Sequence, residues 1–100
     1  MIARCWRGRT PTSKADEYVA YLERTGLKDY RATAGNRGVW VLRREQGEET
    51  EFLLISKWES EAAIRAFAGD DMEKARYYPE DKDYLLAFEP NVTHYAIKEY

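Results

Sequence analysis

The chain has 100 residues, of which 16 are Lys or Arg and 18 are Asp or Glu, giving a formal net charge of −2. This length predicts one domain spanning residues 1–100. The balanced charge gives no basic field for nucleic acid, and the apolar runs are far shorter than the ~20 residues that cross a bilayer. The first residues lack the pattern of a secretory signal, so we expect a cytoplasmic protein.

Ligands for a metal are scarce in this sequence. It contains one His and one Cys, and Cys5 has no second cysteine with which to form an internal disulfide. No glycine-rich loop has the spacing and following helix of a phosphate site. We therefore expect no metal and no cofactor.

The first half of the chain predicts a strand, a helix and a hairpin. Residues 2–9 carry apolar side chains without a helical period, and Pro11 favours a helix start. An amphipathic helix follows, with apolar positions at Ala15, Tyr18, Val19 and Leu22. Gly26 is typical of a helix end, and residues 28–38 predict a loop. Residues 39–44 and 51–58 predict two strands of an antiparallel hairpin.

The second half predicts a helix, a long connection and a last strand. Ser60 is a suitable N-cap for a helix over residues 61–68. The spacing of Asp70 and Glu73 resembles a capping box, so a short helix is expected through residues 74–76, with a further helical turn after Pro79. Residues 91–100 alternate in the manner of a strand.

This order of elements predicts an α+β fold, the ferredoxin-like βαββαβ antiparallel sheet with helices on one face. The second and third strands are apolar on both sides, whereas a half-solvated sheet alternates with polar residues. The helices are sufficient to cover only one face. We therefore expect a homodimer in which two subunits pack sheet on sheet.

The segment from Phe52 to Phe67, in which a strand ends in Trp58 and leads into an apolar-striped helix, resembles a known family. Nearly the whole chain resembles the dimeric α+β barrel superfamily, and within it the antibiotic biosynthesis monooxygenase domains. The resemblance implies a dimeric barrel with a pocket between helices and sheet in each subunit. It also implies oxidation of polycyclic phenols by molecular oxygen without flavin, haem or metal.

Other members of the resembled family degrade haem, using an Asn on the first strand, a Trp at the end of the third strand and a His on the second helix. Trp58 matches that Trp, but the first strand has no Asn and the second helix has no His. The phenol-oxidising members hold the substrate with Trp, Asn, Tyr and Arg side chains, and only Trp58 transfers by position. The resemblance therefore implies Trp58 as a wall of the pocket; the alternative is a core anchor.

His94 and Arg4 are the first candidates for the chemistry. His94 is the only imidazole, so it is the candidate catalytic base, with a hydrogen-bonded packing residue as the alternative. If Arg4 points inward, its guanidinium needs an anion, either a substrate phenolate or enolate, or one of the acidic side chains.

Tyr77 and Tyr78 are the remaining candidates, because they lie in a connection long enough to form a lid. Their hydroxyls would orient a polar substrate, and the alternative is that they pack a last helical turn on the sheet. The acidic groups Asp70–Asp71 and Asp81–Asp83 are expected to be solvated residues at helix ends.

With these residues, the resemblance implies a cofactor-independent monooxygenase acting on an aromatic or polycyclic small molecule. His94 would be catalytic, and Arg4, Trp58, Tyr77 and Tyr78 would bind the substrate. A non-catalytic dimeric binding or stress-associated module is one alternative, and a haem-binding or haem-degrading protein is another.

Overall fold

A computed structural model describes all residues, 1–100. The strands are β1 (Ile2–Pro11), β2 (Asn36–Gln46), β3 (Glu49–Trp58) and β4 (Thr93–Ala96), and the helices are α1 (Ala15–Arg24), α2 (Gly26–Ala32) and α3 (Glu61–Ala68). Two 3₁₀ helices cover Thr12–Lys14 and Pro79–Asp83. All strand pairs are antiparallel, in the order β2-β3-β1-β4. The α+β, ferredoxin-like prediction is confirmed.

The core lies between the helices and one face of the sheet. Alternation along β3 defines that face, because its side chains are buried at every second position: Thr50, Phe52, Leu54, Ser56 and Trp58. Aromatic rings fill much of the space between sheet and helices. Tyr30 of α2, for example, stacks on Phe67 of α3 with 4.3 Å between ring centroids.

The opposite face of the sheet is not covered by any helix. Trp40 and Leu42 of β2 are exposed there, as is Tyr95 of β4, and the exposed fractions of Trp40 and Tyr95 are 52% and 58%. The doubly apolar pattern of β2 and β3 thus corresponds to one helix-covered face and one bare face.

Residues 26–32 differ from the sequence-based expectation. Gly26 does not end a helix; it begins α2, and its backbone φ is not positive. Leu27 and Tyr30 are both buried, and their spacing of three places them on one face of that helix. Burial of this face makes residues 26–32 helical, so the predicted loop is confined to the residues that follow.

Residues 70–76 also differ, because they form no helix. The Glu73 amide donates to Asp71 Oδ1 rather than taking part in a capping box with Asp70. Lys74 forms an antiparallel bridge with Asn91, and the Ala75 amide donates to the carbonyl of Pro90. These hydrogen bonds to residues 90 and 91 of the same chain replace the i to i−4 bonds of a helix.

The boundaries of the other elements are closer to the sequence predictions. Helix α3 spans the predicted residues, with Ser60 as its side-chain cap, and a helical turn follows Pro79. Pro11 ends β1 instead of starting a helix, and β4 is shorter than predicted. No helix in the structure is long and apolar enough to cross a membrane.

Strand β2 lies at one edge of the sheet. Its pairing with β3 is irregular between Asn36 and Val39, and its far half carries Arg43, Arg44 and Glu45. Two of these charged side chains, Arg43 and Glu45, are within ion-pair distance of each other.

Candidate functional site

A cavity lies between the helix-covered face of the sheet and the segment that joins α3 to β4, residues 69–92, called here the connecting segment. Its interior volume is about 30 Å³, which is room for about one water molecule. The fixed walls include Arg4, Trp6, Tyr30 and Phe67, and the connecting segment contributes Arg76, Tyr77, Tyr78 and Asp81. The connecting segment therefore forms one wall of the cavity.

Arg4 is a buried cation without a carboxylate partner. Its side chain is on the core face of β1, only 2% of the residue is exposed, and no acidic group lies within ion-pair distance. One terminal nitrogen donates to the carbonyl of Met72, and the other donates to the carbonyl of Lys74 over 3.0 Å. The buried Nε has no partner at all. Burial lowers the pKa of Arg4, with the nearby Tyr30 phenol acting in the opposite direction.

His94 lies directly opposite Arg4 in the β1–β4 register, so both side chains are on the helix side of the sheet. Its Nε2 is 3.4 Å from Arg4 Nη1. Burial, and then the charge of Arg4, lower the pKa of His94. The imidazole is therefore neutral at pH 7 and accepts the guanidinium proton at Nε2. His94 does not line the cavity.

Tyr77 and Tyr78 both line the cavity and also hold the connecting segment down. The Tyr77 hydroxyl receives a bond from Trp6 Nε1 over 3.2 Å and donates to the carbonyl of Glu89 over 2.6 Å. The Tyr78 hydroxyl donates to Asp29 Oδ2 of α2 over 2.5 Å. Burial raises the pKa of both phenols, so they are neutral donors at pH 7.

Trp58 lies one layer behind the cavity wall. It is fully buried, its Nε1 donates to Ser56 Oγ over 2.9 Å, and its ring packs against Tyr30 and Phe67. Those two rings line the cavity, so Trp58 supports the wall without forming its surface.

Asp81 is a site residue that the sequence reasoning missed. The expectation that it is solvated is wrong, because the residue is only 4% exposed and lines the cavity. Its Oδ2 accepts from the Tyr78 amide over 2.6 Å, and no cation pairs with it. Burial raises the pKa of this carboxyl, while the bond from the Tyr78 amide acts in the opposite direction. Its position two residues after Pro79, the first residue of the 3₁₀ helix, was the available signal.

Arg76 and Tyr30 were missed as well. Arg76 donates to the carbonyl of Phe67 and to Asp29, and its guanidinium lies over the Phe67 ring. Tyr30 faces Arg4 from α2, a helix that was predicted as loop. No group of three or more His, Cys, Asp or Glu side chains converges in the structure.

The cavity thus combines an unpaired buried cation, several neutral phenols and one unpaired carboxyl. Such a set could accommodate an aromatic ring that carries an ionisable oxygen, because the rings supply apolar walls and Arg4 supplies charge for an anion.

Comparison with known proteins gives a family and a set of similar folds. A family model described as antibiotic biosynthesis monooxygenase matches residues 6–75. A putative antibiotic biosynthesis monooxygenase from Bacillus cereus is 18% identical, with 99% of this chain and 94% of that chain covered and a TM-score of 0.64. A Mycobacterium tuberculosis protein, Rv0793, is 19% identical over 99% of this chain and 96% of its own, with a TM-score of 0.63.

A further similar structure is the haem degrader MhuD from M. tuberculosis, which holds two haems in its active site. It is 19% identical, covers 97% of this chain and 95% of its own, and has a TM-score of 0.61. At these identities the three structures establish a common fold. Among curated protein sequences, none matches this chain.

Proposed function

Because the chain belongs to the antibiotic biosynthesis monooxygenase family, we propose that it is a cofactor-independent monooxygenase that oxidises an aromatic or polycyclic phenol in the cavity under the connecting segment. One observation carries the proposal. Arg4 is buried beside aromatic rings with its Nε unpaired and with no counter-charge. A buried cation in this state is costly, and a bound anion relieves that cost.

The anion that fits is a phenolate or enolate. Its ring would pack against Trp6, Tyr30 and Phe67, and its oxygen would lie beside the Arg4 guanidinium. Dioxygen is the oxidant. When a ring CH₂ becomes a carbonyl, one oxygen atom enters the product and the other leaves as water, and the substrate supplies all the electrons. This balance needs no further reductant.

Substrate entry requires the connecting segment to move, because the cavity has room for only about one water. Bonds from Tyr78 to Asp29 and from Trp6 to Tyr77 hold the segment on the body of the domain. We propose that these bonds break when substrate enters and re-form over it, which excludes water from the reactive anion.

His94 and Trp58 do not contact the substrate in this proposal. Trp58 packs behind the rings of Tyr30 and Phe67. With Nε2 occupied by Arg4, His94 orients the guanidinium rather than accepting a substrate proton. We expect His94→Ala to leave the fold intact and to weaken phenolate binding. Loss of turnover at unchanged affinity would instead make His94 the catalytic base.

The test of the proposal uses 1,8-dihydroxyanthrone, a polycyclic phenol with an oxidisable CH₂, in air-saturated buffer. We expect the protein to form the anthraquinone with one dioxygen consumed per product. Arg4→Met keeps an unbranched side chain and removes the charged donor. Loss of a charged hydrogen bond is worth about 1.5–3 kcal/mol, so affinity falls roughly 10- to 150-fold.

Arg7→Met is the matched control, because Arg7 lies on the same strand, on the opposite face, is exposed and pairs with the half-buried Glu51. It should leave binding and turnover unchanged. Tight binding without oxygen uptake would favour the non-catalytic binding module. An equal loss of affinity in the Arg4 and Arg7 variants would show that the buried Arg4 cation does not bind the substrate.

Haem has less support from these residues. The sole imidazole faces Arg4 rather than the cavity, and α3 carries no His. A haem titration gives the direct answer, since a Soret shift on binding would restore the haem alternative.

The bare sheet face supports a second part of the proposal, a homodimer packed sheet on sheet. Trp40, Leu42 and Tyr95 form an exposed apolar surface of the kind that marks interfaces. We expect native mass spectrometry to find a dimer. Trp40→Glu should shift it to monomer, whereas Gln46→Glu at the hairpin end of the same strand should not. A monomeric wild-type protein would contradict this part.

A further inference from the structure

We propose that Asp81 is the catalytic base, so that the site takes its substrate as a neutral phenol and transfers the phenolic proton to this carboxylate. The inference rests on the proposed function and adds the residue that makes the anion. His94, the candidate from sequence, does not line the cavity, whereas Asp81 does.

The geometry leaves one carboxylate oxygen of Asp81 free. Oδ2 accepts the Tyr78 amide proton over 2.6 Å, which fixes the carboxylate. Oδ1 accepts no hydrogen bond from the protein and keeps some accessible surface, and the residue lines the cavity. A carboxylate held by one oxygen and open at the other is arranged to receive a proton.

The groups around Asp81 neither pair with it nor compete for the proton. Phenols face it from α1 and from the connecting segment, namely Tyr18, Tyr21 and Tyr77, and the pKa of each is raised.

The charged groups nearby do not pair with Asp81 either. Its own helix carries three charged residues that are exposed and form no ion pair with it, Glu80, Lys82 and Asp83. The cavity's cations, Arg4 and Arg76, are bound elsewhere. Burial in this apolar setting strengthens the base.

The step conserves charge and atoms. The phenol O–H bond breaks, a new O–H bond forms at Asp81 Oδ1, and the electron pair stays on the phenolate oxygen. Before the transfer the negative charge is on Asp81; afterwards it is on the substrate, beside the Arg4 guanidinium, which has no carboxylate partner. Asp81 thereby accepts the proton, and Arg4 stabilises the anion that the transfer leaves.

The test measures how the affinity for 4-nitrophenol depends on pH, because this phenol ionises near neutrality and its anion is coloured. In the wild-type protein the proton remains in the complex, on Asp81. We therefore expect constant affinity between the pKa of Asp81 and the pKa of the phenol, and a fall of about tenfold per pH unit above the pKa of the phenol. Asp81→Asn removes the acceptor, so only the phenolate binds well and the slope appears on the acid side instead.

Asp83→Asn is the matched control, since Asp83 lies on the same 3₁₀ helix, is exposed and does not line the cavity. It changes the net charge equally and should retain the wild-type profile. Asn can still accept the Tyr78 amide, so we expect Asp81→Asn to fold, which circular dichroism will verify. With 1,8-dihydroxyanthrone, kcat should fall about 10²- to 10⁴-fold.

Failure of the Asp81 assignment and failure of the proposed function give different results. If Asp81→Asn keeps the wild-type pH profile and turnover while the wild-type protein binds and oxidises the phenol, the assignment of the base is overturned and the proposed function stands. If the wild-type protein binds neither phenol, the proposed function fails and the assignment fails with it.

Discussion

Replacement of Gly8 by Ala tests whether the cavity wall is built as described. Gly8 lies on the core face of β1, two residues after Trp6, and the indole folds back over it. A Cβ placed on Gly8 would be 2.1 Å from Trp6 Cη2, which is impossible without a shift of the ring. Moving the indole also breaks its bond to the Tyr77 hydroxyl. The substitution should therefore disturb both stability and the site.

The magnitude follows from two contributions. Overpacking costs about 1–3 kcal/mol and a neutral hydrogen bond about 1 kcal/mol, so Gly8→Ala should destabilise the domain by about 2–4 kcal/mol. At this chain length the melting temperature falls by roughly 10–25 °C. Urea unfolding followed by circular dichroism at fixed pH measures the free energy directly.

Two further variants make the reasoning refutable. Gly26→Ala adds a Cβ that meets only Tyr78, at an ordinary 3.8 Å, so this helical position should be neutral or gain about 0.5–1 kcal/mol. In a Trp6→Leu background the outer indole atoms are gone, and the Gly8→Ala cost should largely disappear. An equal cost in both backgrounds would show that Trp6 is not the cause.

Three other substitutions probe the cap, the connecting segment and the buried carboxyl. Ser60→Ala removes the cap bond to the Ala63 amide, and should cost about 1 kcal/mol in urea unfolding. Tyr78→Phe removes the bond to Asp29, worth about 1.5–3 kcal/mol, and should speed amide exchange in residues 70–92 without reaching α3. The folded-state pKa of Asp81 is raised, so its stabilising contribution is complete at low pH and is lost as pH rises through that pKa. Asp81→Asn should remove this decline and melt higher at pH 7; a lower melting temperature would contradict a burial-raised pKa.

The fold was predictable because its signals are local and agree with one another. Helix α3 has an N-cap at Ser60, an apolar stripe and a glycine after its end, and the hairpin has two β-rich runs around a polar connector. The prediction for residues 26–32 failed because Gly26 suggested the end of a helix, whereas burial of Leu27 and Tyr30 favours a new helix there.

The site was only partly predictable because its residues meet through long-range pairing. Arg4 was a candidate from its position on β1, and its lack of an acidic partner depends on where every carboxylate of the chain folds. Asp81 is followed by Lys82 and Asp83, which gives it the local appearance of a solvated residue. Its burial depends on the path of the connecting segment, set by bridges such as Lys74 to Asn91.

The irregular outer strand β2 has a consequence for how the protein behaves at high concentration. An eleven-residue strand with one side unpaired offers backbone donors and acceptors to any other extended chain, which is how sheets join into aggregates. Here the disrupted register near Asn36 bends one end, and the charges at Arg43, Arg44 and Glu45 oppose docking at the other. The edge is therefore a poor template for intermolecular strand addition, even though the neighbouring sheet face is strongly apolar.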